Sequence, residues 1–164
     1  MAITSFPNGV SSFGTPILGS GGITTTGTFI FVSSTLGSDS NSGLDKSRPV
    51  ATLAQGITLS TASVGDVIHI MPGHAETITT TLTPKAGTRF VGLGHGRNRP
   101  VITAGTGAID TFTLSAANVR IENIVIVGAA SGVTALVAVS ATDAQFESVE
   151  FQGAAAPTTL ITFS

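Results

Sequence analysis

The feature that most constrains this chain is that its C-terminal half repeats itself at a spacing of 25 residues. The stretch TFTLSAANVRIENIVIVGA, from Thr111, aligns with LVAVSATDAQFESVEFQGA, from Leu136. Ser115 then falls on Ser140, Ile121 on Phe146, Glu122 on Glu147, Ile124 on Val149, Ile126 on Phe151 and Gly128 on Gly153. A third partial copy, LITFS from Leu160, puts Ser164 at 24 residues beyond Ser140, and GTRFVGLG from Gly87 reads as an earlier, degenerate copy. Each copy holds short apolar runs with alternating positions, so one face of each run points inward. A unit this short cannot bury that face alone, whereas similar units stacked about 4.8 Å apart can. The repeat therefore predicts ladders inside a stack of coils: Ile121 on Phe146, Ile124 on Val149, Ile126 on Phe151. Asn123 and Ser148 fall at the bend between strands, where small polar side chains hydrogen-bond along a ladder. A β-sandwich would need hairpin signals such as Asn-Gly between neighbouring strands, and none stands at the right places.

Composition agrees. Apolar residues make up 41% of the chain and charged ones only 10%, against roughly a quarter charged in ordinary domains. That balance opposes disorder, and it opposes a helical bundle with a Glu/Lys/Arg surface. The chain has 20 Gly and neither Trp nor Tyr, and it is rich in Thr and Ser, which suits strands and turns. Seven basic and nine acidic residues give a net charge of -2 without a basic run, so electrostatic nucleic-acid binding is not expected. The absence of Cys excludes disulfides and thiolate metal sites. The N-terminus has neither a basic n-region nor a continuous apolar run, and no stretch approaches a membrane span. Folding in the cytoplasm is the expectation.

Along the chain, residues 1–27 scatter Phe6, Val10, Phe13, Ile17 and Leu18 among Gly, Pro, Ser and Thr with no helical or strand period. A flexible leader would not need these apolar residues; an extended arm docking on another subunit would use them as anchors. Residues 28–164 read as the folded domain. TFIFVSS is a strand, LGSDSNSGLDKSRPV a polar loop, and ATLAQGITLSTAS a helix with Thr52 as its cap. GDVIHIMPG is a strand stopped at Pro72-Gly73. A helix near residues 52–60 is placed to cover one end of the stack, as solenoid caps do.

The elements Gly37 to Gly43, Pro49 to Leu53, Gly65 to Ile68 and Pro72-Gly73 together resemble the start of pectate-lyase-like right-handed β-helix proteins. The phrases MPGHAETI, FVGLGHGRNRPVIT, AANVRIENI and the opening SFPNGVSSFG resemble proteins of tailed-phage particles. The resemblance implies an all-β fold: a short, single-stranded, right-handed parallel β-helix with an extended N-terminal arm and one short capping helix. It also implies a particle-associated role, as a head decoration (cement) protein or the root of a fibre, commonly as a homotrimer. Carbohydrate-cleaving proteins share the fold, so the fold does not decide among these.

Each candidate site in the sequence has a structural reading beside the functional one. Glu122 and Glu147 stack on neighbouring coils, near the roughly 5 Å separation of a retaining glycosidase pair, with Glu150 close in sequence. No Trp or Tyr is present to hold sugar, and a repeat stacks Glu at a turn without function. Arg89 and Arg120 stack without the Asp cluster that lyase chemistry wants. The loop Asp39 to Asp45 has the oxygen spacing of a calcium loop but lacks its distal Glu, and reads as a turn. His74 with Glu76, and His95 if their coils neighbour, could approach each other as metal ligands, but a surface or interface histidine is the default reading; His69, between Ile68 and Ile70, should face away from the core. Arg97 and Arg99 read as a solvated or interfacial turn. Gly92, Gly94 and Gly96 precede Pro100 and a strand rather than a helix, so they do not form a phosphate cradle.

The reading is therefore a structural virion protein, not an enzyme, without cofactor or metal. Its expected partners are other copies of itself, in a homotrimer, and the major capsid protein or another virion protein. A fibre or spike base for host adsorption and a polysaccharide-degrading β-helix enzyme are the alternatives. The outer positions of AASGVTALVAVSA (Ala129 to Ala141) read as weakly charged surface, and the stop at Ser164 as an uncapped end that a partner subunit or further residues of the chain would cover.

Overall fold

The computed structural model describes residues 11–12, 15–16, 25–105, 109–128, 135–153 and 159–164. The anchors Phe6, Val10, Phe13, Ile17 and Leu18 lie outside them. Of the arm, the backbone shows one short antiparallel pair, β1 (Ser11–Ser12) with β2 (Thr15–Pro16).

The folded domain is a parallel β-helix. Its first sheet has the order β12-β9-β6-β4-β3, built from β3 (Phe29–Val32), β4 (Val67–Ile70), β6 (Arg89–Gly92), β9 (Arg120–Glu122) and β12 (Gln145–Glu147). The second, β13-β10-β7-β5, contains β5 (Ala75–Ile78), β7 (Val101–Ala104), β10 (Val125–Gly128) and β13 (Glu150–Gly153). The third, β14-β11-β8, contains β8 (Phe112–Leu114), β11 (Ala135–Val139) and β14 (Thr159–Phe163). All strand pairs in these sheets are parallel, and from β4 onward consecutive strands lie in different sheets, so each sheet gains at most one strand per coil.

The register is the one the repeat predicts. Phe146 faces Ile121, Glu147 faces Glu122, Phe151 faces Ile126 and Gly153 faces Gly128. Val139 faces Phe163, which continues the Ser140-to-Ser164 offset. GTRFVGLG supplies β6, with Phe90 beneath Ile121. Inward positions form aliphatic columns: Ile30, Ile68, Phe90 and Ile121 are fully buried in the first sheet, and Ile102 and Ile126 in the second. Phe90 meets Phe112 edge-on across the interior, with ring centroids 6.0 Å apart. Such side-chain burial contributes roughly 1.5–3 kcal/mol per large residue.

Turning the chain between sheets requires left-handed backbone at fixed places. Gly65, Gly87, Asn118 and Asp143 all have positive φ, and each stands two residues before the paired column Val67, Arg89, Arg120, Gln145. Gly, Asn and Asp are the residues that tolerate this conformation. Asn123 (φ 53°) and Ser148 (φ 54°) do the same at the next bend. The Asn123 side chain donates to the carbonyls of Gly92 (2.8 Å) and Gly94 (2.9 Å) on the coil before it. A Cβ at Gly92 would collide with the Asn123 carbonyl, which explains the glycine there.

Helix α1 (Leu53–Leu59) covers the β3 end of the stack. Thr52 caps it by accepting from the Gln55 amide at 3.2 Å. Leu53, Gly56 and Ile57 form its buried face, and Gly56 lets the backbone settle against Val32. In the last coil the inward side chains Phe146, Phe151 and Ile161 are half-buried and Phe163 is 73% exposed. One expectation needs correcting. Within 129–141, Ala135, Leu136, Val137 and Val139 are core rather than outer surface, because β11 directs its aliphatic residues into the stack.

Candidate functional site

The outward positions of the first sheet form a continuous outer face across five strands. Register gives two columns, Phe29-Val67-Arg89-Arg120-Gln145 and Phe31-His69-Val91-Glu122-Glu147. The face is aromatic near the helix-covered end and charged towards the last coil. At the aromatic end His69 stacks on Phe29 (centroids 5.2 Å apart, rings 28° from parallel) and meets the edge of Phe31 at 5.4 Å. Its Nε2 is buried with no hydrogen-bond partner among the described residues. Burial, and secondarily the positive charge of Arg89, push the His69 pKa below its ordinary value. His69 does face away from the core, but it is covered by aromatic rings rather than bathed in solvent.

At the charged end the stacked pair Glu122 and Glu147 is knitted into an ion ladder. Arg89 grips Glu122 through two nitrogens, with Nη2 to Oε2 at 2.8 Å. Arg120 Nε approaches Glu122 Oε1 at 2.6 Å, and its Nη2 reaches Glu147. Both carboxylates of the sequence-stacked pair are thus paired with guanidinium groups. A bidentate Arg–carboxylate grip is stronger than a single contact and fixes geometry. Beside this ladder lies a cleft of about 240 Å³ lined by Gly65, Gly87, Arg89, Asn118 and Arg120 among others.

A second polar cluster braces the cap. Asp39 Oδ1 accepts from the amides of Ala51 (2.8 Å) and Thr52 (3.0 Å), and Oδ2 from the Thr52 hydroxyl (2.9 Å). Asp45 accepts from the Ser47 amide and hydroxyl, and these bonds hold its carboxyl below the ordinary pKa. The Asp39 to Asp45 loop therefore spends its acidic oxygens on the turn and on the start of α1, as the structural reading expected. Asp66 similarly accepts from the amides of Thr28 and Thr61, both at 2.6 Å. His74 and Glu76 come together, with Nε2 to Oε2 at 3.1 Å. His95 instead stands exposed before the 3-10 turn Gly96–Asn98 and does not join them. No group of three or more His, Cys, Asp or Glu side chains capable of holding a metal ion occurs among the described residues.

Arg97 and Arg99 separate in role. Arg97 is exposed, while Arg99 reaches Glu150 at 2.8 Å and donates to the carbonyls of Ile124 and Ser148. Arg99 is a strut across three coils rather than part of a free turn. Gly94 and Gly96 lie in the turn after β6, both at positive φ, and Gly92 ends β6. Sequence reasoning missed the Arg–Glu ladder and the amide-accepting carboxylates of the cap. The alternation RIE and QFE at matched repeat positions was the available signal for the ladder; the cap contacts join residues with no common spacing. No helix among the described residues is long and apolar enough to cross a membrane. The chain matches no protein-family model, and no curated protein or solved structure is significantly similar to it.

Proposed function

We propose that this β-helix is a structural virion protein, a head decoration protein that binds the assembled shell as a homotrimer and reinforces it. The observation that carries the reading is the Arg89–Glu122–Arg120–Glu147 ladder. It ties the charged groups of the main outer face to one another across coils, so that face is rigid and electrostatically self-neutral. A surface of that kind suits binding by area and shape. The exposed apolar side chains Leu36 (70%), Leu44 (59%) and Leu59 (38%) add contact potential on the segment that covers the β3 end. The phrases resembling phage-particle proteins support the same reading. A protein that binds only the assembled shell stabilises it by mass action.

The test is co-sedimentation with assembled shells that lack this protein. The full chain is expected to pellet with the shells and raise their melting temperature, while a chain without residues 1–22 stays folded by circular dichroism but remains in the supernatant. Failure of the full chain to bind shells overturns the decoration role, and undiminished binding of the shortened chain removes the docking arm from it. Attachment to tails alone would move the protein to the fibre-base reading.

A further inference from the structure

Given the homotrimer proposed above, on which this rests, we infer that the free edge of β5 is a strand-docking site filled by residues 2–6 of a neighbouring copy. The first sheet holds five strands and the second four, so the second sheet lacks a rung at the level of β3. After β3 the chain enters the loop and helix of the cap instead of laying that rung down. β5 is therefore an edge strand, paired with β7 alone. Alternation shows which of its backbone groups are left over. Val101 N–H donates to the His74 carbonyl at 2.9 Å and Gly105 N–H to the Ile78 carbonyl at 2.8 Å, so the even-numbered residues bond to β7. The odd-numbered ones turn their backbone groups the other way. On that side Ser34 Oγ takes the Ala75 amide at 3.0 Å. The Ala75 carbonyl, the Thr77 N–H and carbonyl, and the Thr79 N–H meet no partner among the described residues.

These groups open onto a groove of about 260 Å³ between β5 and the start of α1, walled by Thr52, Ala54, Thr77 and Thr79 among others. Folded proteins ordinarily blunt a free edge with charge, proline or a bulge. Two edges at the other end of the stack follow that rule: β12 and β13 carry Glu147 and Glu150, with side chains 60% and 48% exposed. β5 does not, since its one charged residue, Glu76, turns to the Leu53 amide. A bare edge with unpaired backbone groups and room beside it is the arrangement that accepts an added strand.

The chain ahead of the domain supplies one. Residues 1–27 contain no charged residue, so docking them buries no charge. Among them β1 and β2 already pair with each other, and ILGSGGIT (17–24) carries three Gly, which weaken a strand. AITSF (2–6) has neither Gly nor Pro, contains the β-favouring Ile3, Thr4 and Phe6, and stops at Pro7, which cannot continue a ladder. Its length matches the edge from Ala75 to Thr79. The chain is fixed to the domain at Thr25, whose hydroxyl donates to the Gly65 carbonyl. The stretch from Phe6 to Thr25 can span roughly 60 Å, against about 24 Å for the height of the stack, so it reaches the groove of an adjoining copy.

Amide hydrogen exchange on the full chain tests the site. The Thr77 and Thr79 amides should be protected to within about tenfold of the Ile78 amide, which pairs with β7. An Ile3→Pro/Thr4→Pro chain, which removes a donor on either side of the added strand, should lose that protection by at least about tenfold while Ile78 and Val101 keep theirs. The chain has no Cys, so engineered disulfides identify the occupant. Thr77→Cys co-expressed with Thr4→Cys or with Ser5→Cys should form a disulfide between copies in one of the two pairs, since the bond needs Cα atoms about 4.4–6.8 Å apart. Leu44→Cys, exposed on the cap, should not pair with Thr77→Cys. Free exchange at Thr77 and Thr79 in the full chain overturns the docking site. Protection that survives the double proline variant overturns the occupant, as does a disulfide that forms only within a single chain carrying both Cys. Sedimentation of the same samples tells the two proposals apart. A trimer with a freely exchanging edge removes the docking site alone, and a monomeric full chain removes the homotrimer and with it the exchange of segments between copies.

Discussion

Glu122 and Glu147 occupy equivalent places in the repeat, yet their environments differ enough to separate them energetically. Glu122 is 12% exposed and sits between Arg89 and Arg120, whereas Glu147 is 60% exposed and touches Arg120 alone. Glu122→Gln leaves two guanidinium groups paired in register without their shared counter-charge. It should cost about 1–3 kcal/mol, the range for losing charged hydrogen bonds in a partly buried site. Glu147→Gln should change stability by no more than about 0.5 kcal/mol, since exposed pairs contribute little. Urea unfolding of both variants checks this, and equal costs would show that the ladder has no preferred centre. Residue identity alone did not distinguish the two; position in the stack did.

Elements carry the next layer of control. Helix α1 is short, and its placement depends on what satisfies its free amides. Asp39, 12 residues upstream, holds the lead-in to the helix by accepting from the amides of Ala51 and the cap residue Thr52 and from the Thr52 hydroxyl, and Glu76, from a strand that comes later in the chain, accepts from the first amide of the helix itself. Asp39→Ala is therefore expected to lower stability by about 1–2 kcal/mol, the usual cost of losing an N-terminal cap. It should also loosen α1 ahead of the later coils, as read by residue-resolved exchange. A loss spread evenly over the coils would mean that Asp39 is not specific to the helix. The sequence displayed the turn chemistry of this loop plainly. It did not display that the turn delivers a carboxylate to the helix start, because that depends on how the loop folds back.

For the molecule as a whole, stability should depend on pH through His69. Its folded-state pKa lies below the ordinary value, so the unfolded chain takes up the proton first as pH falls. The stability linked to neutral His69 is complete above about pH 6.5 and declines below it, levelling off only once the folded form is protonated too. His69→Phe, which keeps an aromatic ring between Phe29 and Phe31, should shrink the drop in melting temperature between about pH 8 and about pH 5. An undiminished drop would assign the acid sensitivity elsewhere. The parallel β-helix itself was legible from sequence, because a 25-residue period of alternating apolar runs can bury its inner face only by stacking. That same period fixed which residues face each other: Ile121 with Phe146, Ile126 with Phe151, Glu122 with Glu147. The tertiary structure decided what those neighbours do. Arg89 and Arg120 come from coils of unequal length, and Ser34, Leu53, His74 and Glu76 from a loop, a helix, a turn and a strand. A repeat encodes contacts between copies of the same position; contacts between unlike segments exist only once the chain has closed around its core.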